Sequence, residues 1–167
     1  MSMKWEVIPE RSIGQVAIRI LAAVVLTFLA ALPGALTSEA VDGWFSTLDR
    51  PAFAPPNAVF GPVWTALYVM MGIAAGLVWA AGWRAPVKSA LLLYCGQLVL
   101  NASWTIVFFG LHAPLAALFV IVALLVMICL TMRAFFPVHP LAGWLLSPYL
   151  GWVVFATMLN AGYVYLN

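Results

Sequence analysis

The sequence predicts an all-α integral membrane protein, a bundle of five transmembrane helices. Three observations carry that prediction. Of 167 residues, 66% are hydrophobic and 7% charged, where a soluble domain carries about 25% charged residues. Too little polar surface exists to cover a water-soluble globule. Five uncharged stretches, parted by short polar or proline-containing breaks, are each long enough to cross the hydrocarbon core, which takes about 20 apolar residues as a helix. The chain is too apolar to be disordered. Seven cations against five carboxylates, with no basic stripe, exclude a nucleic-acid binder.

The first helix is expected over about residues 12–36, with its uncharged run at 20–36. Its basic start resembles a secretory signal, but signal h-regions run about 7–15 residues. This run is longer and no clean cleavage site comes after it, so it reads as a retained helix. The loop 37–57 is the one long connection, stiffened by Pro51, Pro55 and Pro56. Loops of that length are often lids or binding loops. The second helix is expected over 58–83 and the third over 88–110. Gly110-Leu111-His112-Ala113-Pro114 couples a helix stop to a helix start. The fourth helix therefore spans 113–135. After Pro137-Val138-His139-Pro140 the fifth spans 141–165. No repeat or low-complexity tract interrupts what reads as a single domain, 1–167.

The positions of the charges set an orientation. All five carboxylates, Glu6, Glu10, Glu39, Asp42 and Asp49, fall in the first 49 residues. Five spans place Lys4, Arg11, Arg19, Arg84, Lys88 and Arg133 on one side and only Arg50 on the other. The excess of cations marks the cytoplasmic side. The N-terminus is thus expected there, in a bacterial inner membrane, with the long loop and three acids on the opposite side.

Absent chemistry narrows the function. Helices two to five hold no carboxylate, which argues against proton relays and ion-coupled transport and against paired-carboxylate hydrolysis. His112 and His139 sit in loops at opposite ends and cannot share a metal. Cys95 and Cys129 read as buried small apolar residues rather than ligands or a disulfide. Ser103, Thr105, Ser147 and Thr157 have no nearby His or Asp for a nucleophile triad. No phosphate-binding glycine motif is present. No metal and no required cofactor are expected.

Polar residues inside spans usually face the bundle interior. Gln97, Asn101, Trp104 and Phe108 share one face of the third helix. Tyr149, Trp152, Ala156, Asn160 and Tyr163 share one of the fifth. Phe60, Trp64, Tyr68 and Met71 share one of the second. Each amide alone reads as interhelical glue. Amides on faces that also carry buried indoles read either as core packing or as a flat, largely apolar ligand cavity with a few polar anchors. Trp5, Trp44, Trp79, Trp83 and Trp144, near span ends or in loops, read as the interfacial belt. Gly72, Gly76 and Ala80 form a small-xxx-small stripe, a packing face within the monomer or between monomers.

Four blocks carry a resemblance. They are Arg50-Pro51 with Pro55-Pro56; Gly61-Pro62-Val63-Trp64-Thr65-Ala66-Leu67-Tyr68; Gly96-Gln97-Leu98-Val99-Leu100-Asn101-Ala102-Ser103-Trp104 running into Phe108-Phe109-Gly110; and Pro148-Tyr149-Leu150-Gly151-Trp152 with Phe155-Ala156 and Leu159-Asn160. In this order they resemble the TspO/MBR family, the tryptophan-rich sensory and translocator (peripheral benzodiazepine receptor) proteins. The resemblance implies a five-helix bundle, usually a homodimer, that binds porphyrins such as protoporphyrin IX and benzodiazepine-type ligands beneath the first loop. Carried over by motif, the pocket residues are Trp64, Asn101, Trp104, Trp152 and Ala156, with Ala35 and Leu159 completing it. Tyr68, Gln97 and Phe108 join them from the shared faces. Bacterial members are linked to tetrapyrrole regulation, and some to light-dependent porphyrin breakdown, which makes Trp64 and Trp152 the candidate photochemical residues. A transporter of tetrapyrroles or other amphipathic molecules is the alternative. Some bacterial relatives are assigned to the outer membrane.

The chain also departs from the family pattern. No Lys or Arg comes after Tyr163 or Tyr165, so the cholesterol pattern is not supported. Phe53 replaces the loop tryptophan. Ala116 stands where a pocket tryptophan is common, implying a larger cavity. Leu92 replaces a small residue, which weakens the third helix as a dimer face and leaves Gly72/Gly76 as its rival.

Overall fold

The structure is a computed structural model and describes residues 12–37 and 43–167. Lys4, Trp5, Glu6, Glu10, Arg11, Glu39 and Asp42 lie outside the described residues. Five helices are long and apolar enough to cross a membrane: Ile13–Gly34, Asn57–Ala80, Ala85–Gly110, Pro114–Phe135 and Pro140–Leu166. No strand occurs among the described residues.

Three spans are less regular than the sequence suggests, each for a local reason. The first is not one unbroken helix over 12–36. It runs Ile13–Phe28, tightens into a 3-10 turn at Leu29–Ala31 and resumes as Leu32–Leu36. Pro33 has no N–H to donate and crowds the preceding turn. The fifth is split into Pro140–Leu145 and Ser147–Leu166 by Pro148. The third runs as α-helix over Ala85–Thr105 and ends in a π-helical turn, Ile106–Gly110. A π turn widens the helix by one residue and rotates the side chains beyond it.

The Gly72/Gly76 stripe is a seam inside the monomer. A Cβ built on Gly72 would stand 2.5 Å from Val24 Cα, and one on Gly76 2.5 Å from Ile20 Cα. The first span therefore lies backbone-close on the second, and the stripe is not available as a dimer face. Elsewhere the core is filled by Met71 and Val78 of the second span, Ile121 and Ile128 of the fourth, and Tyr149 and Val153 of the fifth. Tyr94 of the third stacks on Phe135 of the fourth with centroids 5.9 Å apart. Outward faces carry exposed Leu21, Val25, Phe119 and Val126, as expected where lipid is the solvent. Cys95 and Cys129 also lie on the outer surface, not in the core as the sequence suggested. Lipid and core are equally apolar, so their surroundings in sequence could not separate the two.

The two ends of the bundle differ. At one end Arg19 donates to the Trp79 carbonyl at 3.1 Å, and Lys88 lies 5.4 Å from the Trp83 ring centroid. At the other end the long loop folds back over the helices. Asp49 donates its N–H to Asn167 Oδ1 at 3.0 Å, and Asn167 Nδ2 donates to the Asp49 carbonyl at 3.2 Å. Pro51 seats over Gly162, where a Cβ would stand 2.7 Å from Pro51 Cγ. Trp44 is not a simple belt residue. It stacks on His112 at 4.4 Å and meets Phe108 edge-on at 6.0 Å, because the loop brings it inward.

Candidate ligand cavity

The loop-side half of the bundle encloses a cavity of about 530 Å³, within the range of about 300–1,000 Å³ typical of small-molecule sites. The first span contributes Phe28, Ala31, Gly34 and, at its end, Thr37; the loop contributes Phe45. The second contributes Asn57, Phe60, Gly61, Trp64, Thr65 and Tyr68. The third contributes Trp104, Thr105, Phe108 and Phe109. The fifth contributes Trp152, Ala156, Leu159, Asn160 and Tyr163. Among the described residues no charged side chain lines it.

Of the residues singled out in the sequence, Trp64, Tyr68, Trp104, Phe108, Trp152, Ala156 and Leu159 are brought together around this space. Gln97 and Asn101 are not in its wall. Both are fully buried behind it in a hydrogen-bonded chain. Tyr68 donates to Asn101 Oδ1 at 2.7 Å, Asn101 Nδ2 donates to the Tyr149 hydroxyl at 3.2 Å, and Tyr149 donates to Gln97 Oε1 at 2.8 Å. Tyrosine hydroxyls from two neighbouring spans engage both ends of the Asn101 amide and the Gln97 carbonyl, while Gln97 Nε2 is left without a partner among the described residues. Ala35 belongs to the helix Leu32–Leu36, but its side chain lies outside the described residues. Ala116 is exposed on the fourth span and does not enlarge the cavity.

The indoles differ in how they are held. Trp104 Nε1 donates to Asn160 Oδ1 at 3.1 Å, and Asn160 Nδ2 donates to the Pro114 carbonyl at 2.9 Å. That amide is engaged at both ends and presents Trp104 in one orientation. Trp64 stacks on Tyr68 with centroids 5.6 Å apart and meets Tyr149 edge-on at 6.3 Å. Trp152 packs against Phe60 at 5.8 Å and Phe155 at 5.4 Å, and its Nε1 has no hydrogen-bond partner among the described residues.

Sequence reasoning did not single out Phe28, Phe45, Phe109, Thr37 or Thr65 as site residues. Phe60, Asn160 and Tyr163 stand on the faces from which the sequence argues a cavity, and Thr105 enters there only as a nucleophile without a partner; none of the four is among the site residues it names. Phe60 and Tyr163 shared faces with chosen residues, so periodicity could have found them. Phe109, in the π turn, stands beside Phe108 with centroids 4.8 Å apart. Phe45 enters only because the loop folds back, meeting Phe109 at 5.3 Å and Tyr163 at 5.1 Å.

The profile of the TspO/MBR family matches residues 21–166. The chain belongs to the TspO/MBR family. It is 43% identical over 132 residues to the tryptophan-rich protein TspO of Chlorobaculum tepidum, covering 78% of this chain and 84% of that protein. It is 39% identical over 148 residues to the tryptophan-rich sensory protein of Cereibacter sphaeroides, covering 87% and 92%. It is 40% identical over 119 residues to the translocator protein of Homo sapiens, covering 70% of each. Family and spans together make this an integral, multi-pass membrane protein. Membership supports a sensor- or receptor-type role in the membrane.

Proposed function

We propose that this protein is a membrane sensor or receptor that binds porphyrins and related flat, largely apolar ligands in the loop-side cavity, and so takes part in tetrapyrrole regulation. One observation carries the reading: a cavity of about 530 Å³ walled by indole, phenyl and phenol rings, with no charged side chain among its described lining. A flat conjugated ring meets aromatic faces there at little desolvation cost. Benzodiazepine-type ligands fit the same description. The bilayer holds the protein by its apolar outer faces. A homodimer, with the N-terminus in the cytoplasm of a bacterial inner membrane, completes the reading. The end holding Arg19, Arg84, Lys88 and Arg133 supports that orientation. Titrating purified protein with protoporphyrin IX in darkness tests it: saturable quenching of tryptophan fluorescence is expected, and its absence in both detergent and nanodiscs would sink the proposal.

A photochemical role is favoured by one further feature. Trp64 and Trp152 both line the cavity, and an indole against a photoexcited porphyrin is an electron donor. Illumination after the dark titration should bleach the porphyrin faster than matched free tryptophan does. Equal rates would dismiss this second role and leave the binding role standing.

A further inference from the structure

The cavity wall holds no charged side chain among its described residues and few free donors, the Trp152 N–H being the buried one left without a partner. Its threonines spend their protons on their own helices: Thr37 donates to the Pro33 carbonyl at 2.8 Å, Thr65 to that of Gly61 at 2.9 Å and Thr105 to that of Asn101 at 3.3 Å. The Trp104 N–H is taken by Asn160. A carboxylate drawn into such a site would be desolvated with no cation to face, which is costly. A flat ligand that carries carboxylates must therefore leave them at the rim.

On the loop side the described residues hold one cation, Arg50, which stands outside the cavity wall. Arg50 lies in the loop between two lining residues, Phe45 and Asn57, and its neighbour Pro51 seats over Gly162, next to the lining Tyr163. Its guanidinium is exposed and steadied by one bond, from Nη2 to the Pro55 carbonyl at 2.8 Å. Guanidinium has five N–H donors in a planar fork suited to a carboxylate. Among the described residues Arg50 forms no ion pair, and the adjacent Asp49 is instead clipped through its backbone to Asn167. The other described cations, Arg19, Arg84, Lys88 and Arg133, belong to the opposite end.

We propose that Arg50 is a specificity residue of the cavity, receiving at the rim a carboxylate of a ligand whose uncharged ring lies inside. The proposal rests on the porphyrin-class reading above and adds a polarity to it. The ring is read by shape and the anion by charge, and an esterified ring keeps only the first.

The test compares protoporphyrin IX with its dimethyl ester, in darkness, on full-length protein in zwitterionic nanodiscs. Wild type should bind the diacid more tightly. Arg50→Gln should weaken the diacid by roughly three- to tenfold, the scale of an exposed charge-assisted pair, and leave the ester unchanged. The ester titration then doubles as the folding control. Arg84→Gln, at the far end, should change neither. In wild type, added salt should erode the preference for the diacid. The inference is overturned if Arg50→Gln weakens both ligands alike, if the preference survives that substitution, if Arg84→Gln has the same effect, or if salt leaves the preference intact. Failure of wild type to bind either ligand overturns the porphyrin-class reading, and this inference with it. Binding of both without dependence on Arg50 overturns this inference alone.

Discussion

Trp104 and Asn160 form a directional pair: the indole N–H donates to the amide oxygen at 3.1 Å, and the same amide's nitrogen is spent on the Pro114 carbonyl. Asn160 thereby ties the third, fourth and fifth spans together beside the cavity. Asn160→Leu removes both bonds and leaves the Trp104 donor and the Pro114 carbonyl unpaired. The expected cost is about 1–2 kcal/mol, given that interhelical hydrogen bonds in membranes are worth about 0.6–2 kcal/mol each. Thermal unfolding in detergent reads it, with an unchanged midpoint as the contrary result.

Tyr149 is the hinge of the buried chain, accepting from Asn101 and donating to Gln97. Tyr149→Phe strands the Asn101 Nδ2 donor and the Gln97 carbonyl and should destabilise by about 1–3 kcal/mol. Gln97→Leu removes the terminal acceptor together with an unpaired Nε2 and should cost less. The two together should cost less than their sum, because they share one bond. Additive losses would mean that the chain does not act as a unit.

Gly72 admits no side chain without moving the first span. Gly72→Ala and Gly76→Ala should each destabilise by about 1–3 kcal/mol, the usual scale of overpacking. Their effect should fall on folding and leave the oligomeric state alone. A change of oligomeric state at unaltered thermal stability, measured by light scattering and melting, would restore the stripe as a subunit interface.

Trp152 carries an indole N–H with no partner among the described residues, packed between Phe60 and Phe155. A ligand acceptor that pairs with it relieves a buried unsatisfied donor. Trp152→Phe should therefore weaken protoporphyrin IX binding by roughly fivefold to tenfold, equivalent to about 1–1.4 kcal/mol, with little change in melting temperature. Trp104→Phe, by contrast, should lower stability, since Trp104 is held by Asn160. Quenching titrations paired with melting curves separate the two. Identical profiles for both substitutions would contradict the assignment.

Much of the cavity was legible from spacing. Trp64 and Tyr68, Trp104 and Phe108, and Trp152 and Ala156 recur at helical intervals on three spans, whereas Leu159 came only with the family resemblance. Periodicity alone places each set on one face. It could not say that Gln97 and Asn101, on the same face as Trp104, would meet tyrosines rather than open space. The depth of a side chain behind the wall depends on its neighbours in other spans. Nor does the sequence of Ile106–Gly110 mark the π turn that carries Phe108 and Phe109.

The sequence by itself determined the number of spans, the proline-stiffened loop and the acid-free interior. These arise from local composition and chain continuity, because lipid demands long uncharged helices. The tertiary structure alone decided which neighbour each face meets. It put Gly72 and Gly76 against the first span, Cys95 and Cys129 toward lipid, and the amides behind Tyr68. The physical reason is that hydrocarbon and protein core are alike in polarity. Hydrophobicity therefore cannot mark inside from outside within a bilayer, and only packing and hydrogen-bond complementarity between helices can.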